Sequence, residues 1–297
     1  MNYDKIREDI LDAEMVLIGI GSNFGNAEND DELEKLYLAA YDLLAGTEYA
    51  WILPAYREYL SVDENKVREA LDKFAGMLSA KNYFVISESP STVLKNTGWK
   101  DGRIVFLRGC NLEVQCCEAC DKSNITIISD EQKKHLREAM DRLTGFLKEK
   151  EKSLGATCFY PDEVKRAMRQ IAYQNEPSAQ SFLGDFKPFG ECVCPECGRN
   201  LCLNNDCAAR FDKRKTAGDF DRYAKWLGGT RNKKIVMLAL GCGFSDEEMI
   251  CDPFERIAGL QVKSSLYKID CEAKRPETGS EKAVEISENV IDWLRNL

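Results

Sequence analysis

The stretch MVLIGIGSNFG, Met15–Gly25, decides the fold. Met15, Val16, Leu17 and Ile18 form an unbroken apolar run, the pattern of a short strand buried on both faces. A glycine turn, Gly19-Ile20-Gly21, follows with no spacer, and from Asp30 to about Leu44 apolar residues recur at helical spacing (Leu33, Leu36, Tyr37, Ala40, Leu44). Strand, glycine turn and helix in that order is where an open α/β sheet places a nucleotide. Glycine lets backbone amides approach phosphates, and the helix dipole favours their charge. Gly19 and Gly21 meet this pattern, with Ser22 and Asn23 in the turn. The third glycine of the dinucleotide fingerprint is replaced by the neighbourhood of Asn23 and Gly25, and the acidic run from Asn26 to Glu32 would repel a pyrophosphate lying close by. A tight strand-to-loop turn with no ligand has the same local sequence. The nucleotide reading therefore needs support from the rest of the chain.

That support comes from the alternation on either side. Tyr83–Ile86, Arg103–Leu107, Lys233–Leu240 and Ser264–Ile269 read as further strands, the third ending at Gly241-Cys242-Gly243. Helices are predicted over residues 3–14 and 49–60, from an Asp63 cap to Leu78, from a Ser129 cap to Lys150, and over 162–173 and 219–227. A closing helix is predicted over Ala283–Leu297 with Val284, Ile291 and Leu294 inward. Pro177–Gly190, rich in Gly, Pro and Ser, reads as irregular. Apolar strands separated by helices predict a doubly wound parallel sheet covered on both faces, an α/β fold of Rossmann-like type.

Composition excludes several classes. With 297 residues, 44% hydrophobic and 31% charged, the chain is long enough for a sizeable core, and its apolar runs are too short to cross a bilayer. The charged N-terminus MNYDKIREDILDAE lacks the apolar stretch of a signal peptide, so the expected location is cytoplasmic, without a membrane partner. A formal net charge of -9 argues against nucleic acid, whose phosphates need a broad cationic face. The densest basic run, Lys213-Arg214-Lys215, reads as a solvated turn.

Thirteen cysteines are the outlier. Cys110, Cys116, Cys117 and Cys120 form one group; Cys192, Cys194, Cys197, Cys202 and Cys207 form another. Without an export signal such clustering points to a metal rather than to disulfides. Zinc takes four thiolates at tetrahedral corners, and two cysteines on one tight turn supply two of them. Cys194-Pro195-Glu196-Cys197-Gly198 is such a turn. Its partners would be Cys120 with Cys116 or Cys117; a set made of Cys194, Cys197, Cys202 and Cys207 is the alternative. Buried thiols packing as small hydrophobes fit less well, because residues 192–207 offer little apolar surface. A redox role for the CPEC turn fits poorly too, since it does not open a helix beside a βαβ unit. Residues 113–208 are thus expected to form a zinc-binding and helical insertion, with 1–112 and 209–297 making the Rossmann-like domain.

Together these landmarks resemble the Sir2 (sirtuin) family, and more specifically its bacterial members found alongside macrodomains. Four segments carry the resemblance: VLIGIGSNFG at Val16–Gly25, NYFVISESPSTVLKNTGW at Asn82–Trp99, the cysteine pair beginning Gln115-Cys116 and answered by Cys194-Pro195-Glu196-Cys197, and LALGCGFSDEEMICDPFERI at Leu238–Ile257. The resemblance implies an NAD-binding domain, a zinc ion held by Cys116, Cys120, Cys194 and Cys197, and a reaction that begins by cleaving the nicotinamide–ribose bond. It places Gly19, Gly21, Ser22 and Asn23 at the phosphates, Gly241, Gly243 and Ser245 at the adenosine end, and Arg108, Ser89 and Ser91 at the nicotinamide side.

The sequence departs from the family at its catalytic positions. Ser89 and Ser91 stand where the family has an asparagine and an aspartate, and Arg108, before Gly109, stands where it has a histidine or, in the macrodomain-associated members, a glutamine. The family's Asp-Phe-Arg run after the first loop is also missing. Deacylation needs a base to activate the ribose hydroxyl, and a guanidinium is always protonated. The one histidine, His135, sits in a charged predicted helix and receives no role. The expectation is NAD-dependent ADP-ribosyl transfer or NAD cleavage, with a protein acceptor possible; a catalytically degenerate binding or regulatory module is the alternative.

Overall fold

The structure is a computed structural model that describes residues 3–24, 31–61, 63–100, 102–121, 124–154, 171, 173, 176–242, 249–271 and 283–297. In chain order the helices are α1 (Tyr3–Asp12), α2 (Asp31–Leu44), α3 (Leu53–Ser61), α4 (Glu64–Met77), α5 (Thr92–Lys95), α6 (Asp130–Leu154), α7 (Pro177–Gly184), α8 (Arg214–Gly228), α9 (Cys251–Leu260) and α10 (Val290–Asn296). The strands are β1 (Met15–Ile20), β2 (Asn82–Ser87), β3 (Ile104–Phe106), β4 (Gly109–Cys116), β5 (Thr126–Ile127), β6 (Leu201–Asn205), β7 (Ile235–Leu240), β8 (Ser264–Asp270) and β9 (Ala283–Ser287). The chain divides into two compact units, residues 1–28, 62–110 and 213–297 in the first, 29–61 and 111–212 in the second.

The first unit is built on a six-stranded sheet of order β3-β2-β1-β7-β8-β9, every neighbouring pair parallel. All six residues of β1 and all six of β7 are buried, as the apolar runs predict. Met15, Leu17, Ile235, Met237 and Ala239 pack on one face with Phe254, Ala258 and Tyr223. Burial of that size supplies most of the stabilisation, at roughly 25 cal/mol for each Å² of apolar surface removed from water. Consecutive sequence order runs outward from β1 on one side and from β7 on the other. The boundary between β1 and β7 is therefore the topological switch point of the sheet, the crevice that ligands of such folds occupy.

Caps mark helix starts. Asp63 accepts from the Lys66 amide at 3.1 Å. Asn289 Oδ1 accepts from the Ile291 and Asp292 amides at 2.9 and 3.2 Å and starts α10, whose Trp293 is wholly buried. We expect Asn289→Ala to lower stability by about 1 kcal/mol, read as a lower urea midpoint with an unchanged slope; no shift would mean the cap is idle.

The second unit carries a three-stranded sheet of order β5-β4-β6 and the helices α2, α3, α6 and α7. Here the Ser129 cap is a reciprocal box: Ser129 Oγ accepts from the Gln132 amide at 3.2 Å, and Gln132 Oε1 accepts from the Ser129 amide at 2.9 Å. β5 pairs antiparallel with β4.

Four expectations need correction. Ala283–Leu297 is not one helix: β9 takes its first five residues as the sheet's edge strand, and Val284 is 49% exposed rather than inward. Pro177–Gly190 is not irregular throughout, because Pro177, with its fixed φ and no N–H to lose, opens α7. Lys213–Lys215 is the start of α8 rather than a turn. Residues 49–60 are a short 3-10 turn, Ala50–Ile52, leading into α3. The helix predicted over 162–173 lies almost entirely outside the described residues.

Candidate functional site

The cysteine site is assembled within the second unit by two tight turns. At the end of β4 the chain reverses, with the Ala119 amide donating to the Cys116 carbonyl at 2.8 Å and Ala119 held at φ 43°, a left-handed conformation uncommon outside glycine. In the other turn the Gly198 amide donates to the Cys194 carbonyl at 2.8 Å and Gly198 has φ 69°, which explains the glycine after the CPEC sequence. The Cys194 amide donates to Arg199 and the Cys117 amide to Asn200, which locks the second turn to β4.

These turns bring the sulfurs of Cys116, Cys120, Cys194 and Cys197 within 4.8 Å of one another. Cys116 and Cys197 are 3.5 Å apart, Cys120 and Cys194 3.8 Å. A tetrahedral ion with zinc–sulfur bonds of about 2.3 Å requires sulfur–sulfur edges of about 3.8 Å. The donor set fits zinc in type, number and spacing. A backbone bond from Arg199 lowers the Cys197 pKa, but desolvation and the neighbouring thiols of Cys116, Cys194 and Cys120 raise it to about 12. Four adjacent thiols do not shed their protons without a compensating charge. Of the alternatives, Cys117 contacts Cys202 instead, and Cys207 lies against Asp206 at 3.9 Å.

The second constellation belongs to the first unit, at the carboxyl rim of its sheet. Ile20 is in register with both Ser87 of β2 and Leu240 of β7, and Ser87 with Phe106 of β3. The residues just beyond those positions, Gly21–Asn23, Ser89, Arg108 and Gly241, therefore lie along one edge. Gly21 and Asn23 donate their amides to Leu240 and Gly241 carbonyls, both at 2.9 Å. Those donors are engaged within the protein, so exposed Ser22 is the residue of the turn that faces outward. The glycines themselves are filled by the chain. A Cβ on Gly19 would meet Ile250 Cγ2 at 2.2 Å, and one on Gly21 would meet the Cys242 Cα at 2.2 Å. Gly241, at φ 63°, lies against the Phe24 backbone.

Ser91 Oγ accepts from the Val93 amide at 3.3 Å and caps α5; the Ser89 carbonyl accepts the Ser87 hydroxyl at 2.7 Å. Arg108 is half-buried in the two-residue turn between β3 and β4. Gly243 and Ser245 lie outside the described residues.

No protein-family model and no curated protein matches this sequence. Solved structures do match in shape. One, described as the structural basis for the mechanism and regulation of Sir2 enzymes, is 11% identical with a TM-score of 0.51, covering 99% of this chain and 95% of that one. The chain has the Sir2 fold. A second, Sir2Af2 bound to a myristoylated histone peptide, is 10% identical with a TM-score of 0.49, over 99% of this chain and 93% of that one.

One rim residue of this Sir2 fold escaped the sequence reading. Glu88, the first residue after β2, is 4% exposed, and its Oε1 accepts from the Met249 amide at 2.7 Å while its own amide donates to Ile20. A buried carboxylate is costly unless hydrogen-bonded, so Glu88 holds the chain entering α9 to the rim. A single acid between two serines gives no sequence signal for that. His135 sits on α6 of the second unit, 3.6 Å from Glu138 and 3.9 Å from Glu131, among surface charges. Among the described residues no helix is long and apolar enough to cross a membrane.

Proposed function

We propose that this chain binds NAD at the carboxyl rim of β1, β2, β3 and β7 and cleaves its nicotinamide–ribose bond, passing the ADP-ribose to an acceptor or to water. The observation that carries the reading is the convergence of Gly21–Asn23, Ser89, Arg108 and Gly241 on the edge where a sheet of this topology opens its crevice. Ser22, exposed in the glycine turn, is the side chain positioned for a phosphate. Arg108 supplies a fixed positive charge suited to a phosphate or carboxylate, and it cannot serve as the base that deacetylation demands. In the same reading Cys116, Cys120, Cys194 and Cys197 hold zinc. Four protein ligands leave no open position, so the ion supplies structure and no chemistry. The CxxxC spacing of Cys116 and Cys120 supports kinship with the macrodomain-associated branch of the family.

Calorimetric titration with NAD, followed by a nicotinamide-release assay, tests the reading. Saturable binding and measurable release are expected, with release lost in Arg108→Ala while the zinc content is unchanged. Absence of binding at millimolar NAD would sink it.

A non-catalytic module is the second reading, and one observation favours it. The Ser91 hydroxyl is taken up as the cap of α5, so that serine is not set aside for chemistry. That reading predicts NAD binding with no nicotinamide release under any acceptor.

A further inference from the structure

Two thiols that the nucleotide and zinc readings leave unused meet beside the glycine turn of the first unit. Cys242 stands two residues past β7, and Cys251 is the first residue of α9. Each is 7% exposed, and both belong to one apolar cluster with Met237, Ile250 and Phe254. The packing of the turn brings them together. Gly19 in β1 and Gly21, the residue just past its end, accept the Ile250 side chain and the Cys242 backbone respectively in the space of their missing Cβ atoms. Ile250 is the residue before Cys251. The two segments therefore converge at the carboxyl end of β1 within one apolar cluster, and the thiols come into hydrogen-bonding contact.

We propose that Cys242 and Cys251 are a dithiol that a hydroperoxide converts to a disulfide, reversibly, in the folded protein. The electrons balance with hydrogen peroxide as the oxidant. The Cys251 sulfur attacks one peroxide oxygen, the oxygen–oxygen bond breaks and the first water leaves, so that Cys251 carries a sulfenic acid. The Cys242 sulfur then displaces the hydroxyl, the sulfur–sulfur bond forms and a second water leaves. Two thiols lose two electrons and their two protons end in water.

The surroundings assign the order. Contact with Cys251, burial, and the carboxylates of Glu88 and Asp270 all push the Cys242 thiol well above its ordinary pKa, which suits a resolving thiol that reacts second. Cys251 is the first residue of a ten-residue helix, the end at which the helix dipole favours negative charge on an attacking sulfur. Exposed Cys271 is the internal reference for general oxidation.

The test uses the full-length protein in its native, reduced state, treated with hydrogen peroxide, blocked with iodoacetamide in denaturant and digested after glutamate. Cleavage at Glu247 and Glu248 places the two cysteines on separate peptides. The expected product is a Cys242–Cys251 linked peptide that dithiothreitol releases and that appears with no change in nucleotide present. In Cys242→Ser the sulfenic acid on Cys251 should persist and be captured by dimedone. Recovery of both cysteines as carbamidomethyl peptides, at a peroxide dose that has oxidised Cys271, would overturn the proposal, as would linkage of Cys251 to a different cysteine. If Cys242→Ser fails to fold, the wild-type linked peptide alone decides.

Discussion

Cys194→Ser is expected to abolish metal binding and to unfold the sheet that the cysteine turns close. Cys194 is 1% exposed, its amide and carbonyl both shape the second turn, and its sulfur lies 3.8 Å from that of Cys120. A serine oxygen is a harder, shorter-reaching ligand that leaves a three-sulfur remnant. Because metal binding to such turns is coupled to their folding, with apparent free energies of about 10–16 kcal/mol in isolated zinc peptides, several kcal/mol of the second unit's stability should go with it. Zinc measured by emission spectroscopy should fall from one equivalent to none, and limited proteolysis should nick the segment around Gly198. Cys207→Ser is the control, since Cys207 lies against Asp206 and outside the four-sulfur cluster, and it should keep both zinc and protease resistance. The thiols must lose protons to bind, so affinity should rise with pH and zinc should be released on acidification. Full zinc occupancy in Cys194→Ser would refute the assignment.

The four-cysteine cluster was legible because metal-ligand turns leave their mark in local spacing. Two tight turns, each with a cysteine at both ends, can be read without knowing how they meet. Spacing left Cys116 against Cys117 open; in the structure Cys116 lies in the four-sulfur cluster, and Cys117, just past β4, contacts Cys202. β4 and β6 themselves were not anticipated, because their polar residues Asn111, Glu113, Gln115, Asn204 and Asn205 hide the strand pattern. All five are buried. Gln115 shows the reason: its amide donates to Arg210 at 2.6 Å and its Oε1 accepts from the Asp212 amide at 2.8 Å. Such partners are distant in sequence, so no periodicity reveals them.

The central strands of the parallel sheet were legible for the opposite reason. β1 and β7 are apolar on both faces and need no partner to be recognised. Its edge was not. Ala283, Val284, Glu285 and Ile286 alternate weakly, only Ile286 is buried, and the apolar residues that follow at Val290, Ile291 and Leu294 extend a helical pattern backwards over them. Local propensity could not separate a short edge strand from the first turn of the helix after it.

The glycines of the opening stretch are where sequence and structure assign different work to the same residue, and Gly21→Ala separates the two. In the phosphate reading the glycine leaves room for a ligand, and an alanine would fold normally and weaken NAD binding. In the structure the room is taken by the turn just past β7: the new Cβ would lie 2.2 Å from the Cys242 Cα, 2.4 Å from the Gly241 carbonyl oxygen and 2.7 Å from the Cys242 nitrogen. Every one of these atoms is backbone, and the Gly241 carbonyl already accepts the Asn23 amide. No rotamer change relieves the clash; the turns that follow β1 and β7 must part. The loss should exceed the roughly 1–3 kcal/mol of ordinary overpacking, and the variant should fail to fold or show a much lower urea midpoint. Gly19→Ala gives the graded comparison, since its nearest contacts are the side chains of Ile250 and Phe254, which can shift at some expense to the core. The expected order of midpoints is wild type, Gly19→Ala, Gly21→Ala. A Gly21→Ala protein with an unchanged midpoint and weakened NAD binding would return this glycine to the phosphate and leave the packing account without its strongest contact.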